Sequence, residues 1–244
     1  MKSQLRRVYA FNLNNRDEFV AAFARAVKPG SRVLDVGAGP GPYRKLFSHC
    51  EYRAHDFGEE PTTKGRYTKL DYTSDILNIP APDQSFDVIL CTEVLEHIPD
   101  PVGALGEFAR ILREGGQLLL TAPLGSLLHQ EPFHFYGGYT PWWYRKFLSE
   151  SGFEIVQLDR NMGFFSMFGQ EALRFSSLIH PRRLRFDWRW PLLSLLWIVS
   201  FPLFTGLLPL LGRQLDRLNL ETMGTVGYHV VAIKNAAVDR IAQH

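Results

Sequence analysis

Apolar residues along this chain change their period repeatedly, and the changes alternate. From Arg16 to Val27, Phe19, Val20, Phe23 and Val27 recur at helical spacing, and Pro29-Gly30 ends the run. Short apolar stretches then predict strands over 32–36, 52–56, 86–91, 117–122, 153–158 and 228–234, with a weaker one over 67–72. Helices are predicted between them. One runs from Tyr43 to about His49; another runs from Val102 to Leu112 and is closed by Arg113-Glu114-Gly115-Gly116. A third begins at Thr140, with Pro141 in its first turn, where proline is favoured. This alternation predicts an α/β fold, a doubly wound seven-stranded mostly parallel sheet with right-handed crossovers. It fails only before the last strand, where an uncharged apolar helical insertion intervenes.

The length of 244 residues suits one such domain carrying an insertion. The expected division is a core over 1–163, an apolar helical insertion over 164–222, and the last strand and tail of the core over 223–244. Hydrophobic residues make up 45% of the chain, enough for a sizeable core. A formal charge of +2 gives no case for a nucleic-acid partner. Two cysteines, Cys50 and Cys91, make no disulfide framework and fit a reducing compartment. The first residues, MKSQLRRVYAFNLNN, show no apolar run of a secretory signal, so a cytosolic location is expected.

In open α/β sheets ligands bind beyond the carboxyl ends of the strands, and the unusual residues of this sequence fall there. Gly37, Gly39 and Gly41, with Ala38 among them, follow the first strand and allow a tight bend with close ligand approach. A helix starting there would favour a carboxylate at its N-terminus. Asp56 ends the second strand at a distance suited to ribose hydroxyls, and Asp75-Ile76 follows the third, suited to an adenine edge and face. A dinucleotide fingerprint would need a third glycine where Pro42 stands, which disfavours an NAD-dependent oxidoreductase.

VLDVGAGPG resembles the first motif of the class I S-adenosylmethionine-dependent methyltransferases. FDVILCTEVLEHIPDP, followed by GEFARILREGGQLLLTAP, is similar to the type 11 methyltransferase family, which includes quinone-biosynthesis enzymes. The similarity runs from about Ser31 to Leu158 and resumes in the last strand. It implies a Rossmann-like methyltransferase fold with S-adenosyl-L-methionine as cofactor. Asp35 and the loop Gly37, Ala38, Gly39 and Gly41 would surround its methionine part. Asp56, with Phe57 beside it, would bind the ribose, and Asp75 with Ile76 the adenine. Cys91, Thr92 and Glu93 would line the pocket below the methyl group. Residues 57–66 form no convincing helix, which departs from the family pattern. Cys91 also reads as a small buried strand residue. Glu96 and His97 read either as the start of a helix or as part of the site, and Asp87 as structural.

Methyl transfer from a sulfonium needs mainly alignment, worth roughly 7–11 kcal/mol. A hydroxyl acceptor would gain a further ~10²–10⁴-fold from a general base. The candidate bases are His134, then His129 and Glu131, set among aromatic residues in LLHQEPFHFYGGYT; their alternative is to pin that loop. Without an i, i+4 histidine pair or a cysteine among them, no metal is assigned.

Residues 191–212 carry no charge and are long enough to span a bilayer. A single crossing would place the last two strands on opposite sides, so a shallow re-entrant hairpin or interfacial helices are expected instead, with Pro191, Pro202 and Pro209 each beginning a short helix. Arg182, Arg183, Arg185 and Arg189, interleaved with Trp188 and Trp190, fit an anionic surface. Peripheral membrane contact through 182–218, at the inner face, is therefore expected, with a small-molecule or lipid-linked acceptor. The alternatives for this segment are packing within the protein and a homodimer contact. A cofactor-binding, membrane-associated scaffold without turnover is the other functional reading.

Overall fold

The structure is a computed structural model and describes residues 10–59, 65–183, 189–218, 220 and 224–236. Arg185 and Trp188, both part of the expected basic and aromatic patch, lie outside the described residues. In chain order the main elements are α1 (Phe11–Ala26), β1 (Arg32–Val36), β2 (Glu51–Asp56), β3 (Tyr72–Thr73), β4 (Phe86–Thr92), α2 (Pro101–Ile111), β5 (Leu112–Pro123), α3 (Pro141–Glu150), β6 (Phe153–Arg160), α4 (Phe164–Leu178), α5 (Trp190–Pro202), α6 (Leu208–Asp216) and β7 (Gly227–Lys234).

Among the described residues the strands form one seven-stranded sheet of order β3-β2-β1-β4-β5-β7-β6. β1 pairs in parallel with β2 and β4, and β4 with β5, whereas β7 runs antiparallel to β5. Strand residues alternate between two cores. Leu34, Val36, Ile89, Leu118 and Leu120 pack with Leu105 and Phe108 of α2 and Tyr144 of α3. Val33, Val88, Leu90 and Leu119 pack with Val20 and Ala24 of α1. Both faces are thus covered, as a parallel sheet requires. The helix starts follow from the sequence. Asp100 caps α2 by accepting from the Gly103 N–H at 2.8 Å, and Thr140 caps α3 through Trp143 at 3.3 Å, with proline in the first turn of each.

Three expectations are corrected. Residues 67–71 lie outside any strand, and β3 is only Tyr72–Thr73. The stretch 113–116, expected only to close a helix, belongs to β5, whose pairing with β4 shifts register between Phe86 and Val88. Gly115 is left-handed there (φ 68°), so the chain can kink and remain in the ladder. Asp87 secures that end of the sheet, accepting from the Arg32 N–H at 2.7 Å and pairing with Arg113. The third correction concerns the apolar run.

The chain divides into two compact units, one of residues 17–159 and 227–244 and one of residues 1–16 and 160–226. In the second, the apolar run forms a continuous helical stretch, Trp190–Asp216, of 27 residues rather than three short helices. Pro202 sits inside it, and a π-helical turn over Leu203–Leu207 follows directly. Proline removes one ladder hydrogen bond, and a wider turn absorbs the misfit without ending the helix. α4 lies close against this stretch. A Cβ on Gly212 would come within 2.3 Å of the Phe165 carbonyl, and one on Gly169 within 2.9 Å of Pro209. The pair is closed at one end by Asp216, whose carboxylate accepts from the N–H groups of Gly163 (3.1 Å), Phe165 (3.1 Å) and Ser166 (2.9 Å). These are the orphan donors at the start of α4, and a carboxylate is the natural cap for them.

Candidate active site

The chain leaves β1 through Gly37, Gly39 and Gly41, all left-handed, with φ of 71°, 50° and 68°. At Gly37 a Cβ would also strike the Val94 side chain, and at Gly41 that of Thr68, so glycine is required for space as well as for conformation. The Gly39 N–H donates to Asp56 Oδ2 at 2.9 Å, and the Ala38 N–H to the His55 carbonyl at 3.0 Å. The helix expected from Tyr43 to His49 is absent. Overlapping turns replace it, with the Leu46 N–H on the Tyr43 carbonyl and Cys50 on Phe47. Pro40 and Pro42 withhold two N–H groups, and β2 already begins at Glu51. No helix dipole therefore stands at the bend, and the N–H groups of Ala38, Gly39 and Gly41 are each donated within the protein, so the bend offers a ligand close approach to its backbone.

Asp35 is 1% exposed, and the Tyr52 hydroxyl donates to it. Burial pushes its carboxyl up to about 7; the Tyr52 hydrogen bond and Arg44 oppose the rise and the Asp56 charge adds to it. Asp56 holds the bend with one oxygen and the Gly58 N–H with the other, at 3.1 Å. Phe57 beside it is exposed and meets Phe133 edge-on at 5.9 Å. Of the pair expected at adenine, Asp75 is exposed and accepts from the Leu77 N–H, whereas Ile76 is buried in the core. Cys91 is also a core residue, fully buried, and burial drives its thiol far above the ordinary range. It does not line the tip of β4. Thr92 and Glu93 do stand at that tip; Glu93 is left-handed (φ 55°) and accepts from the Thr121 hydroxyl at 2.8 Å.

Beyond β4, Leu95–His97 forms a 3-10 turn, and the loop after β5 is fastened onto it. The N–H groups of Phe135 and Tyr136 donate to the Glu96 carbonyl, the Tyr139 hydroxyl to that of Leu95, and the Tyr136 hydroxyl to that of Pro99. The fastening gathers three imidazoles. Ring centroids of His129 and His134 are 4.5 Å apart, those of His97 and His129 4.8 Å, and those of His97 and His134 5.8 Å. Of the two readings the sequence left open for His97, a helix start or part of the site, its place among these rings agrees with the second. No spacing rule joins it to residues more than thirty positions away, and the tyrosine-rich loop was its only signal. The Ser126 hydroxyl donates to the Gly137 carbonyl, so His134 Nε2 donates to Ser126 Oγ at 3.0 Å and its Nδ1 keeps the lone pair. Burial, then the His129 charge, holds the His134 imidazole below its usual range, which favours the neutral, basic form. Glu131 is exposed on the same loop.

A buried acid titrating near neutrality, a second carboxylate on the neighbouring strand and a glycine bend between them suit a cationic ligand carrying a diol. S-adenosylmethionine is such a ligand, and Asp35, Asp56 and the bend fit it.

A family model described as a methyltransferase domain matches residues 1–174, well over half of the chain. The chain belongs to that methyltransferase family. The dinucleotide alternative falls away with it. The ubiquinone biosynthesis O-methyltransferase of Hahella chejuensis is 36% identical over 109 residues, covering 40% of this methyltransferase and 45% of that protein. Its counterpart from Xanthomonas campestris pv. campestris is 35% identical over 130 residues, covering 49% and 52%. The chain spans about half the length of these curated relatives. A SAM dependent methyltransferase from Archaeoglobus fulgidus shares the fold, with a TM-score of 0.54 over 89% of this chain and 94% of the other, at 18% identity.

Proposed function

We propose that this protein transfers the methyl group of S-adenosylmethionine to an oxygen of a small amphipathic or lipid-linked acceptor taken up at the cytosolic face of a membrane. The single observation that carries the acceptor class is the exposed helical stretch Trp190–Asp216, of whose most apolar window only 11% is buried. Leu192, Leu195 and Val199 are 70%, 59% and 69% exposed. An apolar area of this kind needs cover. The few hydroxyls in the stretch donate to their own helix: Ser194 to the Trp190 carbonyl at 2.6 Å and Thr205 to that of Phe201 at 2.7 Å. Such masking suits a medium that offers no hydrogen bonds. Arginines before α5 (Arg182, Arg183, Arg189) and in or just after α6 (Arg213, Arg217) flank the apolar part at its two ends, where long basic side chains can reach headgroups. The O-methyl transfer and ubiquinone pathway named for the relatives point to the same chemistry, an oxygen on an apolar carrier.

The cofactor supplies a methyl group already activated on a sulfonium, released to the acceptor oxygen as the carbon–sulfur bond breaks. The protein's own work is to hold the two partners in line and to receive the hydroxyl proton. Asp35, Asp56 and the glycine bend bind; Glu93 and Thr92 shape the tip of β4. His134 Nδ1 takes the proton, with His129 and Glu131 on the same loop. Incubating the protein with isotopically methyl-labelled cofactor and separate lipid and polar extracts of its source cells tests the reading. Label is expected in the lipid extract, and His134→Gln should lower the rate about 10²–10⁴-fold. Label confined to the polar extract would refute the acceptor class.

A further inference from the structure

We propose that Glu96, His97 and His129 form a binding site for one late first-row divalent cation of the zinc class. A ligand atom from each of the three lies within 4.8 Å of those of the other two, and His97 Nε2 is 3.8 Å from Glu96 Oε1. The hydrogen bonds behind the two rings decide which nitrogens carry the protons. His97 Nδ1 faces the Phe133 carbonyl and His129 Nδ1 the Leu127 carbonyl at 2.9 Å. A carbonyl only accepts, so both Nδ1 atoms carry the proton and both Nε2 atoms keep their lone pairs. Backbone carbonyls behind imidazoles are the usual way a protein orients histidine ligands and raises their basicity.

The donor set also selects the ion. Two imidazole nitrogens and one carboxylate oxygen match zinc and its neighbours, whereas magnesium and calcium prefer oxygen alone. Three protein ligands leave a coordination position open. Burial grades outward through the group: Glu96 is buried, His97 half-buried and His129 exposed, so the open position faces the loop surface. His134 stands 4.5 Å from His129, ring centre to ring centre, beside that position. Along the sequence these three ligands share no metal-binding spacing. Here a 3-10 turn and a loop converge only after the Tyr136 and Tyr139 hydroxyls fasten them.

An acceptor hydroxyl entering the open position would lose its proton more readily, and His134 could receive it. That use rests on the oxygen-acceptor reading, but cation binding does not, so the two fail separately. The test is titration of the untagged, chelator-treated full chain with Co²⁺, read by its visible ligand-field bands, followed by displacement with Zn²⁺. One Co²⁺ per chain is expected. His129→Ala and Glu96→Gln should weaken binding by about 100-fold, and His49→Ala, on the far side of the sequence from the cluster, should not change it. His129 lies on an exposed loop, so its loss should spare folding, which circular dichroism verifies. Binding that is absent, binding unaffected by His129→Ala, or displacement of Co²⁺ by millimolar Mg²⁺ would each overturn the proposal.

Discussion

β5 and α5 are both rich in leucine, yet they use it in opposite ways. In β5, Leu118, Leu119 and Leu120 are each 0% exposed, pressed between two layers of helices. In α5, Leu192 and Leu195 are among the most open apolar residues of the chain. The first set has already contributed its burial energy to folding. The second set has contributed little of it, because most of its surface stays open. Hydrophobicity in a sequence is therefore a quantity whose destination has to be found, in the core or on the surface.

The sharpest way to break this contrast is to shorten one leucine in each region. Leu119→Ala should lower stability in urea by about 2–5 kcal/mol, through lost transfer energy and the cavity left behind. Leu195→Ala should stay within about 0.5 kcal/mol. Equal losses would mean that α5 is buried in solution, for instance in a dimer. A second comparison uses vesicles of anionic phospholipid. Replacing Leu192, Leu195 and Val199 together with serine should reduce co-sedimentation about 100-fold while leaving the thermal transition in place. A parent protein that ignores vesicles and elutes as a dimer would assign the same face to a second copy of itself.

The smallest expected effect concerns polar burial in the sheet unit. The Asp35 carboxyl, raised to about 7, is partly protonated at neutrality, and a cationic cofactor favours its ionised form. Binding below that pH must therefore release a proton. Cofactor affinity measured by calorimetry should fall about tenfold per pH unit as pH drops below about 7, and level off above it. Asp35→Asn should bind more weakly and show no such slope.

What could be read from the sequence was whatever depended on neighbours along the chain. β1, β4, β5 and β7 announced themselves as apolar runs between glycine and proline punctuation, while amphipathic spacing over 102–112 and the start at Thr140-Pro141 placed α2 and α3 within a residue or two. The glycine bend was legible too, because left-handed positions leave a direct mark in composition. Missing elements had a different character. Whether the bend leads into a helix turned on two prolines against a short span, a local balance that periodicity does not weigh. Ile76 looked like a pocket residue by position but packs into the core, whereas the burial of Cys91 agrees with its reading as a small strand residue and not with the pocket role that the resemblance implied. His97 joined the site only through hydrogen bonds from a loop more than thirty residues on, and nothing at short range foretells them.

The carboxylate of Asp216 has a consequence for how this protein can change over time. It ties the exit of the apolar segment to its entrance at Gly163, 53 residues earlier, so the segment leaves and rejoins the chain through one narrow gate. Growth or shrinkage of the helices beyond that gate leaves the points of departure and return where they were. The segment is thereby a cassette: its far end is free to be rebuilt for a new environment while the gate keeps its shape.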